Sequence, residues 1–169
     1  MNNIAGIDPG KTGGIVLITD KEIKYWCIPK IGKEVDLRKL NDIFKLLPKD
    51  CTVFLERVHA IFGSAAGSTF TFGQVFGFLE AMIVAHELSY SMVDPKQWQK
   101  EMFMGINPIY KPNKKRKMLE TKQMAELAYK RLFPELDLYI TDNGNKSKKV
   151  HDGIVDALLI AEFGRRKIK

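Results

Sequence analysis

Asn3-Ile4-Ala5-Gly6-Ile7-Asp8-Pro9-Gly10 is an apolar run that ends on an acid and is stopped by a turn dipeptide. After Lys11 and Thr12, Gly13-Gly14-Ile15-Val16-Leu17-Ile18-Thr19 resumes as a second apolar run, closed by Asp20-Lys21. Apolar runs this short, bounded by Gly, Pro and Asp, read as buried strands. A third strand is expected over residues 22–28, where polar and apolar residues alternate. Residues 35–47 place apolar side chains at 37, 40, 43, 44 and 47, which is helical spacing. Cys51 to Leu55 reads as a buried strand that delivers Glu56. Beyond a Gly/Ser/Ala loop, Phe72, Val75, Phe76, Leu79, Met82 and Ile83 mark a long helix. Its Phe72–Phe76–Leu79 stripe is expected in the core rather than as a base-stacking platform. Tyr90 to Val93 is a fifth strand, ended by Asp94-Pro95. Helices are expected at 96–103, 119–133 and 150–163, with a basic, mobile loop at 105–118. Three antiparallel strands followed by strand–helix alternation give an α/β fold. Residues 1–169 are expected to form one domain, a five-stranded mixed sheet flanked by helices.

The length of 169 residues fits the roughly 100–200 that one domain takes, and the apolar share, 45%, is ordinary for a globule. A chain this size buries on the order of two-thirds of its unfolded surface, enough for a core without staples. No apolar run approaches the ~18–20 residues of a membrane span, so no membrane contact is expected. Met1-Asn2-Asn3 lacks a basic leader segment and the run behind it holds Asp8, so no signal peptide and a cytoplasmic location are expected. Cys27 and Cys51 read as buried free thiols.

Net charge is +7, and its placement is uneven. Residues 1–93 hold ten Lys/Arg and ten Asp/Glu, whereas residues 94–169 hold seventeen against ten. The excess falls in three clusters: Lys111 to Lys122, Lys146 to Lys149, and Arg165 to Lys169. Any one cluster reads as a solvated loop or tail. Three of them beside acids in apolar settings favour a polyanion, and nucleic acid is the candidate. Lys114, Lys115, Arg116, Lys117, Lys148 and Lys149 are the candidate phosphate contacts.

Four carboxylates sit where folding alone would not put them. Asp8 and Glu56 end apolar strands, and Asp152 and Asp156 lie four apart, on one face of the last helix. Like charges at that spacing repel. Taken singly, Asp8 has a reading as a turn residue, Glu56 as the ion-pair partner of Arg57, and Asp152 as a first-turn acid on the helix dipole. Together they point to a carboxylate cluster balanced by hard divalent cations, which prefer oxygen ligands. Two such ions, about 3.5–4 Å apart, activate water and stabilise the leaving oxygen in phosphodiester hydrolysis.

These residues also carry a family resemblance. Gly6-Ile7-Asp8-Pro9-Gly10 with Gly13-Gly14, then Phe54-Leu55-Glu56-Arg57-Val58-His59, then the run from His151-Asp152-Gly153 to Ala161 resemble, in order, the three acidic motifs of the RuvC family of Holliday junction resolvases. Gly73-Gln74-Val75-Phe76-Gly77 and Pro95-Lys96-Gln97-Trp98 resemble its connecting segments. The Trp98 segment, the basic insertion and His-Asp-Gly look closer to phage and chloroplast resolvases, which implies the host cytoplasm if the chain is phage-encoded. The resemblance implies a ribonuclease H-like fold. It further implies a homodimer that cuts opposed strands of a four-way DNA junction with Mg²⁺, or Mn²⁺ in its place, at two ions per active site. It places Asp8, Glu56, Asp152 and Asp156 on the catalytic, metal-binding acid positions. Lys96 falls near a DNA-contacting residue. Lys122, which the helix pattern alone leaves in solvent, falls near a basic residue that assists cleavage. Two positions depart from the family. The bacterial enzyme spaces its last two acids three apart, where Gly153 stands here, and His59 replaces an aromatic that stacks on junction bases, a role open to His59 or Phe62.

Rival readings are weaker. Gly10-Lys11-Thr12 fails as a P-loop, since Gly6 is one residue too close and Asp8 would sit inside the phosphate cradle, so no nucleotide cofactor is expected. An actin-like or sugar-kinase ATPase needs two such lobes. Another ribonuclease H-like nuclease, acting on RNA–DNA hybrid or other branched nucleic acid or processing ribosomal RNA, is the alternative, and a non-catalytic junction binder has no use for four acids. His59 and His86 lack a second Cys or His at zinc-ligand spacing.

Overall fold

β1 (Ile4–Asp8) pairs antiparallel with β2 (Gly14–Ile18), Asp8 opposite Gly14, and β2 pairs in turn with β3 (Ile23–Cys27). The computed structural model describes residues 3–58, 65–112, 117–139, 141–142, 145–146 and 150–168. On the other side of β1 lie β6 (Thr52–Glu56) and β7 (Ser89–Val93), both parallel to it, so the sheet runs β3-β2-β1-β6-β7. Between β3 and β6 the chain makes a hairpin, β4 (Lys30–Ile31) and β5 (Glu34–Val35), then α1 (Leu37–Lys45). α2 (Ala66–Ala85) crosses from β6 to β7, and α3 (Pro95–Met102) and α4 (Thr121–Leu132) follow. A two-residue ladder of β8 (Thr141–Asp142) and β9 (Asn145–Lys146) precedes the last helix, α5 (Asp152–Lys167). This is the mixed, five-stranded α/β sheet expected.

Strand alternation sends successive side chains to opposite faces. Ile4, Val16, Ile18 and Phe54 pack with Trp98, Met124, Ala128, Ile154 and Leu158 under α3, α4 and α5. Ala5, Ile7, Ile15, Leu17, Val53 and Leu55 pack with Leu40, Phe44, Val75, Leu79 and Ile83 under α1 and α2. Each fully buried Leu or Ile contributes roughly 1.5–3 kcal/mol relative to exposure, so both helical layers are held by the sheet.

Several boundaries differ from the sequence pattern. Val35 belongs to the β4–β5 hairpin, whose turn uses Gly32 at φ 59°, and the buried Asp36 starts α1 by accepting from the Arg38 and Lys39 amides, each at 3.1 Å. The Gly/Ser/Ala segment expected as a loop is helical from Ala66, with its first turn closed by the Thr69 amide on the Ala65 carbonyl. Local composition is poor in helix formers there, so the turn forms as an extension of the packed Val75–Leu79–Ile83 stripe. α2 also revises the membrane expectation. It spans 20 residues at mean hydropathy 1.3, long and apolar enough on those grounds to cross a membrane, although its buried stripe packs on the sheet. Phe76 belongs to that packing and Phe72 is half-buried. The basic loop is tied at its base by a Tyr110–Leu119 bridge, with Lys111 donating to Met118 and Glu120 to Ile109, both at 2.8 Å. Cys27 and Cys51 are free thiols.

Candidate active site

Alternation along β1 turns Ile4, Gly6 and Asp8 toward the α5 side of the sheet. A Cβ at Gly6 would run into the Ala157 carbonyl and the Ala161 backbone, so α5 lies directly on β1. The start of α5 is seated the same way. Gly153 bridges Gly13, and a Cβ at Gly14 would come within 2.7 Å of the Gly153 carbonyl. His151 caps the helix, its Nδ1 accepting the Ile154 amide at 3.3 Å. Burial lowers the His151 pKa and keeps the imidazole neutral, as an accepting cap requires. Glycine contacts and cap together fix the first turn of α5, and with it Asp152 and Asp156, against the end of β1.

Glu56 follows Phe54 on the same face of β6, one strand from Asp8. It does not pair with Arg57, which reaches Asp94 at 3.6 Å. Instead its Oε1 accepts the indole N–H of Trp98 at 2.8 Å. Lys122, in the first turn of α4, donates from Nζ to Asp152 Oδ2 at 2.5 Å.

The electrostatics tie the four acids together. Burial, then the charges of Glu56 and Asp152, raise Asp8 to about 7, against a pull downward from Lys122. Burial, then Asp8, Glu56 and Asp152, raise Asp156 to about 8, again opposed by Lys122. Burial also raises Glu56, with the Trp98 hydrogen bond acting against it. Lys122 is raised by its hydrogen bond and attraction to Asp152, and further by Asp156. A shallow pocket lined by Lys122, Val150, Asp152, Val155 and Asp156 opens at this edge.

Among the described residues, no three carboxylate, imidazole or thiol groups are drawn close enough to hold an ion as they stand. Two of the acids are engaged elsewhere, Glu56 by Trp98 and Asp152 by Lys122. The donor set nevertheless suits a hard divalent cation, because it is all oxygen and Lys122 offsets only part of its repulsion. The alternative for buried carboxylates without a cation is protonation, the direction in which burial pushes Asp8 and Asp156.

Of the expected DNA contacts, Lys96 is exposed in the first turn of α3, directly after the end of β7, and Lys117 is exposed with its Nζ 5.6 Å from the Tyr110 ring. His59, Phe62, Lys114, Lys115, Arg116, Lys148 and Lys149 lie outside the described residues. The third basic cluster has internal partners. Glu162, only 2% exposed, accepts from Arg165 at 2.7 Å and Arg166 at 2.8 Å, and Lys167 pairs with Glu101 at 2.8 Å. Burial pushes Glu162 up, but the two arginines outweigh it and hold the carboxyl below its usual range. Sequence pattern assigns no role to Trp98 or His151, because their partners, a carboxylate 42 residues away and a helix start, are not a matter of local pattern.

No family model matches the chain, and no curated protein matches it. Solved structures do. T. thermophilus RuvC in complex with a Holliday junction substrate aligns at TM-score 0.56 and 12% identity, covering 99% of this chain and 96% of that one. A second structure of Thermus thermophilus RuvC aligns at TM-score 0.52 and 14% identity, over 98% and 96%. The fold is therefore the ribonuclease H-like fold of RuvC, present over nearly the whole chain.

Proposed function

We propose that this chain is a divalent-metal-dependent endonuclease that resolves four-way DNA junctions as a homodimer. The observation that carries the reading is the convergence of Asp8, Glu56, Asp152 and Asp156 on one edge of a RuvC-like sheet, their repulsion partly offset by Lys122. These four acids would hold Mg²⁺, or Mn²⁺ in its place. When bound, such ions would supply an activated water and stabilise the leaving oxygen of an in-line displacement. The chain's own part is to hold the carboxylates in place through α5 and β1, and to offer the Lys122 ammonium to the charge that builds on the phosphate. Lys96 at the same edge, with the basic residues 114–117, 148 and 149, supplies phosphate contacts. The junction bound to T. thermophilus RuvC makes branched duplex DNA the substrate class to test first. The dimer reading is supported by α2, whose outer side shows Phe70, Gly73, Gly77 and Val84 to solvent, with Phe70 72% exposed.

Synthetic four-way junction, flap, plain duplex and RNA–DNA hybrid substrates, incubated with Mg²⁺ or Mn²⁺, test the reading. The junction is expected to be nicked in opposed strands in preference to the others. Asp8→Asn and Asp156→Asn are each expected to abolish cleavage while junction binding persists. Cleavage near the wild-type rate by either variant overturns the metal site, and preferential cutting of the hybrid moves the substrate to RNA–DNA duplexes.

A further inference from the structure

Trp98 is 1% exposed and stands in the core layer between the sheet and α5, its ring edge-on to Phe103 at 5.8 Å. Its position is set by the path of the chain. Glu56 is in register with Val93, the chain then turns through Asp94-Pro95, and a capping box of Asp94 and Gln97 sets the first turn of α3. That turn brings Trp98 back to the end of the neighbouring strand β6, one indole N–H from Glu56. A buried indole N–H needs an acceptor, and any backbone carbonyl would serve. Here the acceptor is one of the four acids.

We propose that Trp98 is a positioning residue of the metal centre: its N–H fixes the Glu56 carboxylate and leaves the other oxygen, Oε2, to face a divalent cation. The inference rests on the metal-dependent reading above. A neutral donor suits this task, because lysine or arginine in its place would hold the carboxylate but repel the cation. Lys122 differs in both respects. Its side chain is charged, 70% exposed and free to leave Asp152, whereas Trp98 is neutral and locked in the packed core. Residues that orient metal ligands from behind typically change metal affinity or activity about 10–100-fold when replaced.

Trp98→Phe keeps an aromatic ring, smaller than the indole, and removes the donor, and Phe103→Leu removes the ring contact and keeps the donor. Titration calorimetry with Mn²⁺ is expected to show about 10–100-fold weaker binding for Trp98→Phe and wild-type binding for Phe103→Leu. Equal affinity in Trp98→Phe and wild type overturns the inference, as does an equal loss in Phe103→Leu, which would mark a packing effect. A second measurement needs no variant. The chain holds two tryptophans, so a ¹⁵N spectrum has two indole signals, and Mg²⁺ is expected to shift that of Trp98 and not that of Trp26. An unmoved Trp98 signal in a protein that binds Mg²⁺ overturns the inference. A wild-type protein that takes up no divalent ion overturns the underlying reading instead.

Discussion

Lys122 is the residue at which the two possible readings of a lysine separate. On the helix pattern it is an ordinary solvated cation, and its side chain is indeed 70% exposed. Yet its ammonium sits 2.5 Å from Asp152 and lowers the pKa of both Asp8 and Asp156, so it already acts on three of the four acids. On the endonuclease reading, a cation so placed would offset charge on phosphoryl oxygens in the transition state, where one such group contributes ~3 kcal/mol, or about a hundredfold in rate. Lys122→Ala is expected to lower single-turnover junction cleavage by about that factor with affinity within a few-fold, and Lys122→Arg to restore it only in part. Wild-type cleavage by the alanine variant removes Lys122 from the chemistry. The acids themselves are legible in the sequence because burial penalises a lone carboxylate, so folding by itself seldom leaves one at the end of an apolar strand. The position of Asp152 needs the structure. A Cβ at residue 153 would collide with the Thr12 carbonyl and the Gly13 backbone, so an acid three before Asp156 has no room, and the one four before it takes the place.

Among the elements, α2 shows best what a sequence pattern does and does not carry. Its inward stripe of Val75, Leu79 and Ile83 is a clear helical repeat. Its start is not legible in the same way, since Ala66, Gly67, Ser68 and Thr69 look like a loop until the rest of the helix is packed. The outer side is equally silent in one dimension. Added Cβ atoms at Gly73 and Gly77 would meet nothing within 4 Å, and Val84 is 61% exposed, which leaves an apolar side with only Glu80 charged in the whole helix. Small residues let two helices approach closely, and a second copy laid against this side would cover it. Gly77→Arg is therefore expected to turn a dimer into a monomer in sedimentation experiments. The monomer should lose no stability, because an exposed helical glycine is itself unfavourable by about 1 kcal/mol. A dimer that survives this change uses another face.

For the whole molecule, the charge excess and the buried acids combine into one dependence on pH. Glu162 and Glu101 offset two of the three charges of Arg165–Lys167, so most of the positive excess lies in the other basic residues, Lys96 and Lys122 among them. The acid edge then dominates how folding responds to protons. Asp8 and Asp156 have folded-state pKa values raised from 3.8 to about 7 and about 8, so between pH 4 and those values the folded chain binds more protons than the unfolded one. Stability of the metal-free protein therefore falls as pH rises through that window, by at most about 1.4 kcal/mol per pH unit for each carboxyl, and levels off above it. On the metal-dependent reading, a divalent cation would reverse the balance. It would bind the ionised carboxylates of the folded state, compete with the protons, and add stability that grows with its concentration. Urea unfolding in EDTA is expected to show a midpoint that declines from pH 5 to pH 8, and in excess Mg²⁺ a midpoint that declines less or rises. A flat profile in EDTA would mean that Asp8 and Asp156 are ionised and accommodated without a metal, and the case for a carboxylate cluster balanced by a cation would fail.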